Sequence, residues 1–154
     1  MTKPNQKKLF KPLTIKNKVL KNRIFSTGHM AVMLKEGCPT DDLIAYHEAK
    51  AKGGAALTII EAARVHPSGN SERAAIRAYD PKCIPGYKKL VATCHRYDCL
   101  VFGQLTHPGR EMGNLADGTN PVAYAPSAIP NERFHTMPRE MSETMIHEIV
   151  MGFE

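Results

Sequence analysis

Residues 55–62 read Ala-Ala-Leu-Thr-Ile-Ile-Glu-Ala, a largely apolar run without regular alternation of apolar and polar side chains. A strand with one solvated face alternates, whereas a strand covered on both faces is apolar along its length. Such strands occur in parallel sheets that are flanked by helices. The stretch therefore predicts a central strand of an α/β fold.

A helix is predicted directly before this strand. Thr40 can cap its first turn, and Asp41 and Asp42 meet the positive end of the helix dipole. Gly53 and Gly54 end the helix just ahead of the strand.

Two shorter elements are predicted further towards the amino terminus. Residues 9–20 are interrupted by Pro12 and Asn17, which favours a short hairpin or an extended cover. Residues 22–27 form a compact strand that ends at Gly28.

The same alternation continues towards the carboxyl terminus. Residues 70–81 form a polar loop. The next helix has Pro85 in its first turn and apolar positions spaced by three and four, namely Ile84, Tyr87, Leu90, Val91 and Cys94. Residues 100–106 predict a third buried strand, and residues 107–139 a long loop rich in Gly and Pro. Ser142 starts a last helix, whose apolar side is formed by Met145, Ile146, Ile149, Val150 and Phe153.

This order predicts an α/β architecture with parallel strands and right-handed crossovers. Three parallel strands cannot close a barrel, and the third would be left as a bare edge. A connection as long as residues 107–139 is typical of a functional lid or substrate loop. We therefore expect the chain to be a piece of a larger protein.

Composition narrows the class of protein. The chain has 154 residues, 42% hydrophobic and 23% charged, which suits one soluble domain. It contains no apolar run long enough to span a bilayer and no apolar core of a signal peptide, so we expect a cytoplasmic protein without membrane partners. The four cysteines, at 38, 83, 94 and 99, match no common zinc spacing and are interpreted as structural thiols of a reducing compartment.

The net charge of +6 has two interpretations. Lysines alternate with apolar residues between positions 7 and 21, which favours a solvated outer face of amphipathic strands. A polyanion-binding surface is the alternative, but no nucleic-acid recognition motif accompanies the lysines, and we expect no nucleic-acid partner.

Residues 103–110 read Gly-Gln-Leu-Thr-His-Pro-Gly-Arg and place Gln104 where the third strand emerges into a loop. Ligands collect at this end of parallel strands. An amide carries one acceptor and two donors, so Gln104 can pair with a ring edge that alternates C=O and N–H, as the pyrimidine part of a flavin does. The alternative is an amide that is satisfied within the core or loop.

Several short motifs occur in one order along the chain. They are Leu-Phe-Lys-Pro-Leu at 9–13, Leu-Lys-Asn-Arg-Ile at 20–24, Gly-Gly-Ala at 53–55, Glu-Ala at 61–62, Ile-Pro-Gly at 84–86, Gln-Leu-Thr-His-Pro-Gly-Arg at 104–110, Ala-Pro-Ser at 125–127 and Pro-Arg-Glu-Met at 138–141. Together they resemble the amino-terminal part of the Old Yellow Enzyme family of NADH:flavin oxidoreductases. The resemblance is nearest to the branch with dienoyl-CoA reductases and trimethylamine-dehydrogenase-like enzymes.

The resemblance implies a TIM (β/α)8 barrel, which typically needs about 250 residues. Residues 1–154 would then be the N-terminal portion of a single flavin-binding domain, a partial barrel with a cover hairpin and the first three β/α units. The family binds FMN, takes hydride from NAD(P)H or an amine donor, and passes it to an activated alkene or a similar small-molecule acceptor. An iron–sulfur cluster, where the branch has one, belongs to a region downstream of this chain.

The resemblance also implies the cofactor-binding residues. Thr27, Gly28, His29 and Met30 would lie against the flavin ring, Ala62 would touch its edge, and Gln104 would hydrogen-bond its pyrimidine portion. Gly28 serving only a turn and Ala62 serving only packing remain alternatives. His29 either donates to flavin or substrate or bonds a backbone carbonyl. Met30 departs from the family pattern, because a thioether is a poor hydrogen-bond partner.

Residues next to Gln104 have supporting roles in this interpretation. His107 orients the loop or lines the pocket, and Arg110 anchors the long loop through an ion pair. The catalytic residues are unknown, because the family takes them from later strands. The isolated chain is then expected to be inactive. A non-catalytic half-barrel that pairs its open edge with a partner, including a second copy, is the alternative function.

Overall fold

The computed structural model describes residues 6–70, 75–113 and 118–154. The described part begins with a single helical turn, α1 (Gln6–Leu9), followed by an antiparallel hairpin of β1 (Leu13–Ile15) and β2 (Lys18–Leu20). Leu20 is buried with Ala56 and Leu57 at the start of the central strand. The predicted cover hairpin is therefore present, and it closes the amino-terminal end of the sheet.

The main sheet is parallel and is centred on β6 (Leu57–Arg64). One edge of β6 pairs along its length with β8 (Leu100–Thr106), and the other pairs with β3 (Phe25–Ser26) near its start and β7 (Ile76–Arg77) near its end. The register with β8 shifts between Ile59 and Ala62, which marks a bulge. The two long strands confirm the predicted parallel α/β architecture.

Two helices of twelve residues cover one face of this sheet, α2 (Asp41–Lys52) and α3 (Ile84–His95). Thr40 caps α2 through a hydrogen bond from the Leu43 amide to its hydroxyl, as predicted. The main core lies between these helices and β6 and contains Leu43, Ile44, Ala51, Ile60, Ala63, Leu90 and Cys94. The helices therefore fix the outer side of the sheet.

Residues 100–106 form a strand, as predicted, but the prediction that this strand is buried is wrong. Residues 102–105 of β8 are exposed, with Phe102 at 38% and Leu105 at 47% relative exposure. Among the described residues β8 pairs only with β6, and α2 and α3 cover one face of the sheet alone. The apolar composition of this strand thus provides a surface that this part of the chain leaves open.

The segments that were predicted as loops contain further short strands. β7 lies within residues 70–81, where residues 71–74 are outside the described part of the chain. In the long segment 107–139, β9 (Tyr124–Ala125) pairs in parallel with β10 (Arg139–Glu140). The small hairpin of β4 (Leu34–Lys35) and β5 (Cys38–Pro39) follows β3.

The last helix, α4 (Glu143–Met151), begins where predicted, with Ser142 as its cap. Of the residues on its apolar side, Ile149 is buried, while Ile146, Val150 and Phe153 are exposed. None of the helices in the described residues is long and apolar enough to cross a membrane.

The cysteines divide into two pairs. Cys94 and Cys99 are buried free thiols, as predicted. Cys38 and Cys83 form a disulfide across Cα atoms 4.7 Å apart, so the prediction of four free thiols is wrong for this pair. The sequence separation of 45 residues hides their proximity, which arises because β5 packs against the 3-10 turn Pro81–Cys83 ahead of α3.

Candidate functional site at the carboxyl ends of the strands

Three of the predicted site residues meet at the carboxyl ends of the parallel strands. Ala62 and Gln104 are direct register partners on β6 and β8. Gly28 follows β3, and a Cβ atom built at this position would lie 2.7 Å from Gln104 Oε1. The same Cβ would lie 3.3 Å from the carbonyl oxygen of Ile60. Position 28 therefore has room for glycine only while Gln104 keeps this orientation.

The Gln104 side chain is exposed and makes no hydrogen bond to any described residue. Its two donors and its acceptor are thus free, and the alternative of an amide satisfied by this part of the chain does not hold. Ala62 is half-buried beside it. A small side chain next to a free amide leaves a surface on which a flat polar ring can lie.

The segment after β3 provides the third side of this surface. Thr27, His29 and Met30 are exposed there. The His29 ring bonds within the chain at both nitrogens: Nδ1 lies 3.2 Å from the Thr27 carbonyl oxygen, and Nε2 contacts the Tyr46 hydroxyl. Since a carbonyl only accepts, Nδ1 carries the proton and Nε2 accepts from Tyr46. Of the two alternatives for His29, the structure shows the bond to a backbone carbonyl.

Glu61 is a buried carboxylate immediately before Ala62, within the bulge of β6. Its Oε2 accepts the backbone N–H of Ala31 at 2.7 Å and that of Val32 at 3.2 Å. The sequence shows Glu61 only as part of a short motif. Its contact joins residues 30 positions apart, so no local pattern indicates it. The one available signal is a carboxylate inside an otherwise apolar strand.

His107 belongs to a hydrogen-bonded chain that ties together the loops after β6 and β8. The Gly109 amide donates to His107 Nδ1 at 3.1 Å, so Nε2 carries the proton and donates to Ser68 Oγ at 3.0 Å. Ser68 in turn donates to His66 Nδ1 at 2.7 Å. Burial lowers the pKa of His107, and His66 and Arg64 lower it further. Of the two predicted roles, these contacts match loop orientation.

Arg110 does not make the predicted ion pair with any described residue. Its guanidinium lies 3.5 Å from the Pro130 carbonyl oxygen instead. Residues 108–111 and 125–129 line a groove of about 380 Å³, which brings the Pro-Gly-Arg and Ala-Pro-Ser motifs together. Arg110 thus lies where the long loop folds back, as predicted, but it contacts the loop through a carbonyl oxygen and not through an ion pair.

Comparison with known proteins decides the family. The family model for NADH:flavin oxidoreductases and NADH oxidases matches residues 8–154. The chain belongs to this family. It is 35% identical over 149 residues to an NADH oxidase of Thermoanaerobacter brockii and 31% identical over 150 residues to an NADPH dehydrogenase of Bacillus subtilis strain 168.

The solved structures show the fold of the family member. The chain superposes on a 2-naphthoyl-CoA reductase in complex with 2-naphthoyl-CoA with a TM-score of 0.83, at 24% identity over 95% of its residues. The present chain is therefore a partial TIM barrel, and its described residues form no closed barrel. It spans 22% of the NADH oxidase, 43% of the NADPH dehydrogenase and 24% of the 2-naphthoyl-CoA reductase chain.

The residues at the strand ends fit the flavin that the family name implies. Gly28 has no side chain to obstruct a ring, and any Cβ there would displace Gln104. Gln104 offers two unused donors and one unused acceptor to the alternating edge of a pyrimidine ring. The three residues are therefore chemically compatible with the edge of a flavin ring.

Proposed function

We propose that residues 1–154 form the N-terminal portion of a flavin-binding TIM-barrel domain and carry one wall of its FMN site. The observation that carries this proposal is the convergence of Gly28, Ala62 and Gln104 at the carboxyl ends of parallel strands in a member of the NADH:flavin oxidoreductase family. TIM-barrel enzymes place their ligands at this end of the strands.

Each residue of the wall has a stated role in this proposal. Gln104 holds the pyrimidine portion of FMN through its free amide, and Ala62 lies against the ring edge. Residues 27–30 face the reactive side of the ring with their backbone, since His29 uses both ring nitrogens within the chain. A backbone N–H aimed at the N5 and O4 region stabilises negative charge on the reduced ring.

FMN, when bound, supplies two-electron chemistry between NAD(P)H and an acceptor such as an activated alkene. The names of two relatives, an NADH oxidase and an NADPH dehydrogenase, support a nicotinamide as the reductant. An amine dehydrogenase or demethylase within the family is the alternative reaction. We propose a small-molecule substrate, no nucleic-acid or membrane partner and a cytoplasmic location.

The 154-residue chain alone is proposed to be inactive. Barrels of this type build the phosphate site after strands seven and eight. The parallel sheet of the described residues has four strands, β3, β6, β8 and the short β7, so the groups that hold the phosphate and polarise the acceptor would come from other sequence.

A fluorescence titration tests this proposal. FMN is added to the 154-residue chain and to a complete barrel that contains it, and NADH is added last. With the complete barrel only, we expect tight binding that quenches the FMN fluorescence and NADH-dependent bleaching of the flavin. Bleaching by the isolated chain would overturn its proposed inactivity, and a complete barrel that binds no FMN would overturn the function.

The exposed face of the sheet, opposite α2 and α3, favours a second candidate function, that of a half-barrel that assembles with a partner or a second copy. Phe25, Phe102 and Leu105 are exposed large apolar side chains on or beside the open strands. An unpaired strand edge is a template for association. Size-exclusion chromatography over a range of concentrations tests it: a shift to a discrete dimer supports assembly of two copies, and a concentration-independent monomer contradicts it.

A further inference from the structure

Glu61 is the most deeply buried carboxylate next to the proposed flavin wall, with 1% relative exposure. It lies in the bulge where the β6–β8 register shifts, one residue before Ala62. Bulges redirect side chains beside functional sites. Burial of a charged carboxylate is costly unless hydrogen bonds compensate it. Hydrogen bonds are therefore expected to compensate the burial of Glu61.

The hydrogen bonds that Glu61 makes to described residues all come from the segment after β3. Two consecutive backbone N–H groups, of Ala31 and Val32, converge on Oε2 at 2.7 and 3.2 Å. Successive amides of this kind form a concave anion site. Oε1 is buried without a hydrogen-bond partner among the described atoms. Burial, with the charge of Glu61 as a second cause, raises the pKa of Tyr87 to about 12, so Tyr87 remains a neutral neighbour.

Val32 shows what the carboxylate stabilises. Its φ of 57° lies in the left-handed region, which is unfavourable for a β-branched side chain. Val32 is also 51% exposed, so packing of its side chain does not hold this conformation. Hydrogen bonds from the Ala31 and Val32 amides to Glu61 hold the backbone here, and Thr40 holds the carbonyl of the next residue, Met33.

This anchor lies next to the residues that face the proposed flavin. Residues 27–30 lie between the end of β3 at Ser26 and the anchored amides of Ala31 and Val32. A segment fixed at both ends presents its backbone in one arrangement. Binding to such a preorganised segment avoids the cost of ordering it.

We propose that Glu61 is a positioning residue, which fixes the flavin-facing backbone of residues 27–30 without contacting the flavin ring. This inference rests on the proposed function, because it assigns the segment to FMN. Glu61 itself does not contact the flavin. It acts through the amides of Ala31 and Val32 and through the strained turn at Val32.

Glu61→Gln in the complete flavoprotein tests this role, since the change keeps the size of the side chain and removes its charge. We expect hydrogen exchange of the Ala31 and Val32 amides to become at least about tenfold faster and FMN binding to weaken by about tenfold, as expected for loss of charged hydrogen bonds. The flavin midpoint potential should fall, because a misplaced N–H no longer stabilises the reduced ring.

The matched control is Glu48→Gln. Glu48 is a partly buried carboxylate on α2 that pairs with Arg96 at 3.3 Å, away from residues 27–33. This variant should leave the exchange of both amides, the FMN affinity and the potential at wild-type values. A similar loss in both variants would show general destabilisation and would overturn the positioning role.

Val32→Gly adds a second variant, because glycine adopts a positive φ without strain. In the Glu61→Gln background it should restore part of the lost FMN affinity. The wild-type protein gives a measurement that needs no variant: the Ala31 and Val32 amides should exchange slowly although Val32 is exposed. Fast exchange of both in the wild-type protein would overturn the inference.

The outcomes separate the inference from the proposed function. Wild-type protein that binds no FMN overturns the proposed function, and the cofactor role of Glu61 with it. Wild-type protein that binds FMN, with Glu61→Gln unchanged in exchange, affinity and potential, overturns the inference alone.

Discussion

At the scale of single residues, Gly28 and Gln104 define each other's positions. Only a residue without Cβ fits at position 28 while the Gln104 amide keeps its orientation, because the two would otherwise approach to 2.7 Å. The obstructing atom is the end of a flexible side chain. A side chain at position 28 would therefore rotate Gln104 away from its place rather than unfold the strand.

Gly28→Ala should accordingly weaken FMN binding by about fivefold to tenfold, the loss expected for about one hydrogen bond. Fluorescence titration of the complete barrel measures this change. Gly103→Ala is the matched control, since a Cβ at position 103 meets nothing within 4 Å. Equal affinities of Gly28→Ala and wild type would contradict the shared site.

His47 gives the fold a pH dependence. It is buried on α2, with Nδ1 2.7 Å from Thr58 Oγ1. Burial, and then the charges of Lys50 and His29, lower its pKa from 6.5 to about 4. Between these values the unfolded chain takes up a proton that the folded chain does not. The free energy of unfolding should therefore fall as the pH falls from 6.5 to 4, by roughly 2 kcal/mol.

Urea unfolding at several pH values between 4 and 7.5 measures this contribution. His47→Gln should remove the His47 share of the slope, because glutamine does not titrate, and leave the smaller share of His107, whose pKa is also lowered. His147→Gln on the exposed side of α4 should keep it. An unchanged slope in His47→Gln would assign the pH dependence to other groups.

At the scale of elements, the Cys38–Cys83 disulfide connects the β4–β5 hairpin to the turn before α3. A cross-link between residues 45 positions apart stabilises mainly by restricting the unfolded chain. Reduction should lower the free energy of unfolding by about 2–4 kcal/mol. Thermal unfolding with and without reductant measures this difference.

Cys38→Ser is the control for the disulfide, since reductant should no longer change the melting temperature of that variant. Titration of thiols in the denatured, unreduced protein should find two free thiols, Cys94 and Cys99. Four free thiols would contradict the cross-link.

The elements also show which features local sequence predicts. The start of α2 at Thr40 and of α4 at Ser142 follows from capping chemistry within a few residues, and both were predictable. The exposure of β8 was not, because an apolar strand indicates burial without stating which part of a protein covers it. The hydrogen bond from the Val32 amide to Glu61 and the contact of His29 with Tyr46 join distant segments, which local patterns do not encode.

The site divides in the same way. The proximity of Gln104, Ala62 and Gly28 was predictable because a family motif and the ends of parallel strands place them together, while their contact with flavin stays a prediction. Arg110 was assigned an ion pair from its charge, but it contacts a carbonyl of the long loop. Charge alone does not identify the partner of an arginine.

At the scale of the whole molecule, the chain spans less than half of the length of the relatives described above. Its sheet has helices on its outer side and exposed apolar and amide side chains on the other. An open inner face that carries Gln104 and Phe102 matches the interior of a barrel whose remaining strands come from other sequence. The proposed FMN wall then lies on this chain, and the rest of the site would come from other sequence.

The most direct test of the central claim is the NMR response of two groups to FMN in the complete barrel. The side-chain amide of Gln104 and the backbone amide of Gly28 are labelled, and their shifts are followed as FMN is added. Both signals should shift together and saturate at one equivalent of FMN. Saturable binding of FMN that leaves both signals unmoved would contradict it.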